Sequence, residues 1–277
     1  MRHFRKDFIL WSLLIALAGC GARPSRDAAS LHRTPVETPV LHPVLLHLPG
    51  IGGERSIDRA LVNGLTTGGI SAEIEIYDWT DNSPGLNALV ARERNEAQAQ
   101  IVADWIERRY REDPRRTIYL TCHSGGAGIA TWALERLPDD VEIDTLLLVA
   151  PALSPGYDLS VTLKHVRGKA YNLYSPLDPV LGFGTRLFGT IDGVKTDAAG
   201  KIGFNANNAF DKTQYAKLEQ IPYDPAWRQT YNLGDHVGAM NRTFARLLLA
   251  PLLSTDVLPI LPPLPPATTR AALPLAE

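Results

Sequence analysis

Between residues 43 and 253 the chain alternates short apolar runs with longer stretches of helical period. Val44-Leu45-Leu46-His47-Leu48 is a buried strand by its nearly unbroken apolar character, and Ser56 to Leu65 follows as a helix. Ala72-Glu73-Ile74-Glu75-Ile76-Tyr77 alternates as a half-buried strand does. Ser83-Pro84 predicts the start of one long helix, with Ser as cap and Pro at its first position. An apolar stripe of Leu86, Leu89, Val90, Ala97, Ile101 and Trp105 runs along that helix, and Asp113-Pro114 ends it.

Thr117 to Thr121 reads as the next strand, followed by a sharp turn at Ser124 and a helix to Leu137. Thr145 to Val149 and Lys169 to Tyr174 are two further strands, and Trp227 to Leu233 is expected as the last. A helix over Met240 to Leu249 closes the series, and the prolines from Pro251 onward should forbid regular helix. Strands alternating with helices predict an α/β domain: a mostly parallel sheet of about six strands with helices on both faces.

The first 42 residues read differently. Arg2, His3, Arg5 and Lys6 precede an apolar run from Phe8 to Ala18. That run is too short for a bilayer span, which needs roughly 20 apolar residues, and it has the form of an export signal. Leu17-Ala18-Gly19-Cys20 follows and resembles the lipobox of bacterial lipoproteins. The resemblance implies removal of residues 1–19 and lipidation of Cys20. Residues 20–42 would then be an anchor and tether. It further implies a membrane-anchored place in the cell envelope, with Gly21 favouring the outer membrane. Residues 254–277, rich in proline, are expected as a tail.

Composition narrows the chemistry. With 28 basic and 30 acidic side chains the net charge is −2, so no field draws nucleic acid. Arg108, Arg109, Arg111, Arg115 and Arg116 cluster where the long helix should end, where cations complement its dipole and stay solvated. Two cysteines, Cys20 and Cys122, make no disulfide framework, and no metal-ligand spacing is present. No cofactor is implied.

Thr121-Cys122-His123-Ser124-Gly125-Gly126 lies between a strand and a helix. It resembles the G-x-S-x-G nucleophile elbow of the α/β hydrolases, with Cys122 in place of the first glycine. The resemblance implies the chain order serine, acid, histidine. Of seven histidines only His236 lies beyond the strand at 169–174, in Gly234-Asp235-His236-Val237-Gly238. Asp178, in the turn Ser175-Pro176-Leu177-Asp178-Pro179, holds the acid's place, although an aspartate before proline also caps turns. Asp192 and Asp197 compete with it.

Pro49-Gly50-Ile51-Gly52-Gly53 resembles the oxyanion loop of esterases, and implies that the Ile51 and Gly125 amides hold the developing negative oxygen. A dinucleotide loop is the rival reading, but its third glycine falls on Arg55. The family resemblance implies a serine hydrolase acting on a small-molecule or lipid-like carboxylic ester or thioester. An amidase or peptidase with the same triad, or a non-catalytic binding platform, are the alternatives. Too few residues separate Val149 from Lys169 for a large cap domain, and residues 180–226 are left without an assigned role.

Overall fold

The computed structural model describes residues 41–261, so Cys20, the leader, most of the tether and residues 262–277 lie outside the described residues. The order of elements is β1 Val44–Leu48, α1 Ser56–Thr67, β2 Glu73–Ile76, α2 Leu86–Val90, α3 Arg92–Glu112, β3 Ile118–His123, α4 Gly126–Leu134, β4 Ile143–Val149, α5 Ser160–Lys164 and β5 Val166–Tyr174. After them come α6 Thr185–Phe188, α7 Ala199–Ile202, β6 Leu218–Pro222, α8 Arg242–Phe244 and α9 Ala250–Thr255. The six strands form one sheet in the order β2-β1-β3-β4-β5-β6. Every pairing is parallel.

Parallel strands buried on both faces need apolar residues of both parities, which is why these runs do not alternate with polar positions. Val44, Leu46, Leu120, Cys122, Leu146 and Leu148 face a core shared with α3 and α4. Leu45, Leu147, Val149, Tyr171 and Leu173 point the other way, onto α1, α8 and α9. The fold is an α/β one, a six-stranded parallel sheet with helices on both faces, and no large cap domain is present among the described residues. Only α5 and short loops join β4 to β5.

Three expected elements differ. The long helix is broken at Ala91, where φ −80° and ψ 62° leave the helical region, and its first segment starts after Gly85 rather than at Ser83-Pro84. The break resets the helical phase. The buried face is therefore Ala88 and Leu89, then Ala99, Val102, Ala103, Trp105 and Ile106, while Leu86, Val90, Ala97 and Ile101 are exposed. Asn95 donates to the Ala88 carbonyl across the break, at 2.6 Å, supplying a partner the interrupted helix lacks.

The last strand is Leu218–Pro222, not Trp227 to Leu233. As an edge strand it buries only Ile221 and tolerates Pro222 at its end, so its apolar signal is faint. Residues 225–230 form a 3₁₀ helix, capped by Asp224 accepting from the Ala226 amide at 2.8 Å, with Pro225 at its first turn.

The closing helix runs later than expected, from Arg242 to Thr255 with a π-turn at Ala245–Leu249. Pro251 sits inside it, immediately after the π-turn, where its missing amide falls at the start of a fresh helical segment. Most of the basic cluster keeps a solvated face, with Arg108, Arg111 and Arg115 exposed. Arg111 pairs with Glu107 and Asp140, Arg115 with Asp113, and Arg116 is buried against Glu112.

Candidate active site

Ser124 stands at the carboxyl end of central strand β3, between it and α4. Its φ is +53°, in the left-handed region that a non-glycine residue enters at a cost. The surrounding backbone holds it there. Its amide donates to the Val149 carbonyl at 3.1 Å, and its carbonyl accepts from the Ala127 and Ala152 amides at 3.2 and 3.0 Å. The turn requires bare backbone beside it. A Cβ on Gly126 would lie 2.4 Å from the Pro49 carbonyl oxygen, and one on Gly125 would lie 2.6 Å from Ile51 Cγ2.

The structure brings Ser124, His236 and Asp178 together from three separate parts of the chain. His236 Nε2 lies 3.0 Å from Ser124 Oγ, and its Nδ1 lies 2.7 Å from Asp178 Oδ2. Asp178 is buried, and its other oxygen, Oδ1, accepts from the Val180 and Leu181 amides at 2.9 and 3.0 Å. The two readings of this aspartate are thus both realised, one on each oxygen: it caps the turn and it orients the imidazole. Asp192 is instead bound by the Ser154 amide and hydroxyl, and Asp197 pairs with Arg186 and Lys201.

A carboxylate on Nδ1 keeps the proton there, which leaves Nε2 free to accept from the serine hydroxyl. The arrangement can therefore draw a proton from Ser124 Oγ and turn a weak nucleophile into an effective one.

The loop Pro49–Gly53 runs beside the elbow. Trp79 Nε1 donates to the Pro49 carbonyl at 2.7 Å, and the Gly85 amide to the Ile51 carbonyl at 2.6 Å. These bonds fix the loop through its carbonyls, and the Gly53 amide closes it by donating to the Gly50 carbonyl at 3.1 Å. Among the described residues neither the Ile51 nor the Gly125 amide donates to a protein acceptor. A cavity of about 230 Å³ opens over Ser124 and His236, lined also by Gly50, Ile51, Val180 and Val237. Val180 is the one part of 180–226 that reaches this cavity.

Four residues not singled out from the sequence lie beneath the elbow. His47 on β1 is fully buried, with Nε2 3.0 Å from Asp58 Oδ1 and Nδ1 2.9 Å from Thr121 Oγ1. A histidine inside an otherwise apolar strand was the available signal, since burial obliges both ring nitrogens to find partners.

The fourth is His123, next to the nucleophile. Its Nε2 lies 3.0 Å from the His236 carbonyl oxygen, and the two rings stand 4.8 Å apart. Burial, and then the neighbouring His236 ring, holds the His123 imidazole at about 3. It is therefore neutral, and its Nε2–H donates to the carbonyl of the base.

A histidine held below its ordinary value of 6.5 makes the unfolded chain the better proton acceptor between the two values. The stability this contributes is complete above about pH 6.5 and is lost as pH falls towards 3, by at most about 1.4 kcal/mol per pH unit. His123→Gln keeps a donor and removes the titration. Urea unfolding at pH 7, 6, 5 and 4 should show a shallower acid decline for the variant than for the wild type. Equal declines would mean that His123 is protonated in the folded state.

Cys122, in the place of the elbow's first glycine, packs its side chain into the core with Sγ 3.5 Å from the Leu147 carbonyl. Burial pushes its thiol well above the usual range, so it stays protonated and inert. Among the described residues no group of three or more His, Cys, Asp or Glu could hold a metal ion.

No family model matches the chain, and no curated protein matches it. Solved structures do resemble it. A protein of Xanthomonas campestris pv. campestris assigned to the α/β hydrolase superfamily is 16% identical. The match covers 75% of this chain and 98% of that one, with a TM-score of 0.42. Est1E from Butyrivibrio proteoclasticus is 13% identical over 74% of this chain and 85% of its own, with a TM-score of 0.40. The NocB thioesterase domain of the nocardicin cluster is 13% identical over 74% and 91%, with a TM-score of 0.39. These are likenesses only, and what the site can do follows from its own hydrogen bonds.

Proposed function

We propose that this chain is a serine hydrolase that cleaves a carboxylic ester or thioester through an acyl-enzyme. The observation that carries the reading is the continuous chain of hydrogen bonds from Ser124 Oγ through His236 to Asp178, at 3.0 and 2.7 Å, ending on a strained elbow. Ser124 Oγ attacks the carbonyl carbon while His236 Nε2 takes its proton. Asp178 steadies the imidazolium that forms. The carbonyl oxygen becomes negative as the carbon turns tetrahedral, and the unpartnered amides of Ile51 and Gly125 are the donors that would hold it. His236 then gives its proton to the leaving oxygen or sulfur. Water repeats the sequence to free the acid and regenerate Ser124.

A fluorophosphonate probe tests this directly, because it bonds to a serine only where the base has activated it. The wild-type protein should be labelled at Ser124 and Ser124→Ala should not. An unlabelled wild type would favour a binding platform that uses the fold without chemistry. Amide cleavage would use the same three residues, and a panel of matched esters and amides separates the two activities by their relative kcat/KM.

The Cys20 resemblance supports a second part of the proposal: export, and a lipid anchor in the bacterial cell envelope, with the outer membrane favoured. One acyl chain holds a protein only marginally, so stable anchoring needs two or more. Cys20→Ser should abolish incorporation of a fatty-acid analogue and release the protein from membranes. Undiminished incorporation would exclude Cys20 as the attachment point.

A further inference from the structure

The cavity above Ser124 does not end at the nucleophile. A groove of about 460 Å³ adjoins it, and Ile57 and Val237 line both. Beyond these two residues the groove is walled by Ala60, Tyr231, Leu233 and Met240, with Asp235 and Arg242 also bordering it. Tyr231 and Leu233 are apolar bodies held out to water, 75% and 59% exposed. Tyr231 also has φ +66°, a left-handed conformation that an aromatic residue seldom adopts. That φ closes the 3₁₀ helix at 225–230, with the Tyr231 amide donating to the Arg228 carbonyl at 3.1 Å, and it leaves the exposed ring beside the site.

We infer that this groove binds the alcohol side of the substrate, and that the substrate is an ester of an extended apolar alcohol. The inference rests on the serine-hydrolase reading, and the direction comes from the proton. In R–CO–O–R′ the Ser124 Oγ–carbon bond forms as the hydroxyl proton passes to His236 Nε2. When the carbon–OR′ bond breaks, that proton goes to the leaving oxygen, giving R′OH and acyl-Ser124. The oxygen carrying R′ must therefore lie against Nε2, so R′ departs on the side of the base. Val237 directly follows His236 in the chain, and the groove opens past it. The carbonyl oxygen faces the Ile51 and Gly125 amides, so the acyl chain R leaves the carbonyl carbon by the remaining direction, away from the base.

Each methylene that the groove takes out of water should raise kcat/KM about fourfold, until the groove is filled. The experiment compares two series on the wild type, Tyr231→Asp and Ala60→Trp. In one, butyrate esters carry alcohols from ethanol to octanol. In the other, p-nitrophenyl esters carry acyl chains from acetyl to octanoyl. We expect the wild type to climb along the alcohol series, and both variants to flatten that climb while keeping the wild-type slope along the acyl series. Should Ala60→Trp fail to fold, Tyr231→Asp still decides, since its side chain is exposed and aspartate accepts a positive φ. A flat alcohol series in the wild type, or variants that leave its slope intact, overturns the inference. Variants that flatten the acyl series instead overturn the assignment to the leaving group. Fluorophosphonate labelling of Ser124 keeps the two levels apart: a labelled enzyme with a flat alcohol series loses the groove alone, and an unlabelled one loses the serine-hydrolase reading.

Discussion

Ser124→Ala should lower kcat for ester hydrolysis by about 10⁶, a loss set by the removal of the only group that bonds to the substrate carbon. The residual activity should be that of water attacking a carbonyl still held by the oxyanion amides, about 10³–10⁴ above the uncatalysed rate. Alanine also relieves nothing in the backbone, because the φ of +53° at this position is imposed by the bonds to Val149, Ala127 and Ala152. The variant should thus fold with KM within a few-fold of wild type. A purified Ser124→Ala protein that turns esters over at near wild-type rate would sink the covalent mechanism.

Asp178→Asn should cut kcat by about 10⁴ and leave binding almost untouched. The amide keeps the volume of the carboxylate, and its oxygen can still accept from the Val180 and Leu181 amides. What changes is the partner of His236 Nδ1. An amide NH₂ donates to that nitrogen and moves the ring proton to Nε2, where it faces the serine and cannot accept from it.

His236→Ala should be at least as damaging, and the double variant little worse than the worse single one, because the three residues act as a unit. The measurement is kcat for both singles and the double, with Asp192→Asn and Asp197→Asn as controls. Those two aspartates are engaged by Ser154 and by Arg186 and Lys201, so neither change should approach the Asp178 effect. If Asp192→Asn or Asp197→Asn is the crippled variant, another carboxylate serves the base. If multiplied single losses reproduce the double, the unit itself is wrong.

Ser124 and Asp178 were legible because each follows closely on a strand's end, and strand ends in a parallel sheet gather along one edge, whereas His236 lies well past β6, beyond the 3₁₀ segment at 225–230. Apolar runs mark buried strands, and a serine among glycines after such a run marks a turn too tight for side chains. His236 was singled out by its place in the chain, and Asp178 by its proline-bounded turn. Periodicity served less well at the margins. β6 is an edge strand with one buried side chain, so its sequence carries almost no burial signal, whereas the 3₁₀ segment after it buries Trp227 and Thr230 and reads falsely as a strand.

The sequence by itself determined the alternation of strand and helix and the elbow, because these depend on local sterics and on burial along one segment, whereas the succession Ser124, Asp178, His236 was implied by the resemblance to the α/β hydrolases. Contacts between distant segments were settled only in three dimensions. The division of Asp178 between a backbone cap and the imidazole needs the coordinates of residues 58 positions apart. The His47–Asp58–Thr121 chain and the bond from His123 to the His236 carbonyl span up to 113 positions. The break at Ala91 depends on what α2 and α3 pack against, and the groove beyond Val237 exists only because α1 and the 231–242 segment come side by side. Local chemistry chooses elements, but hydrogen-bond partners and cavities are properties of surfaces that meet, and no single stretch of sequence carries both surfaces.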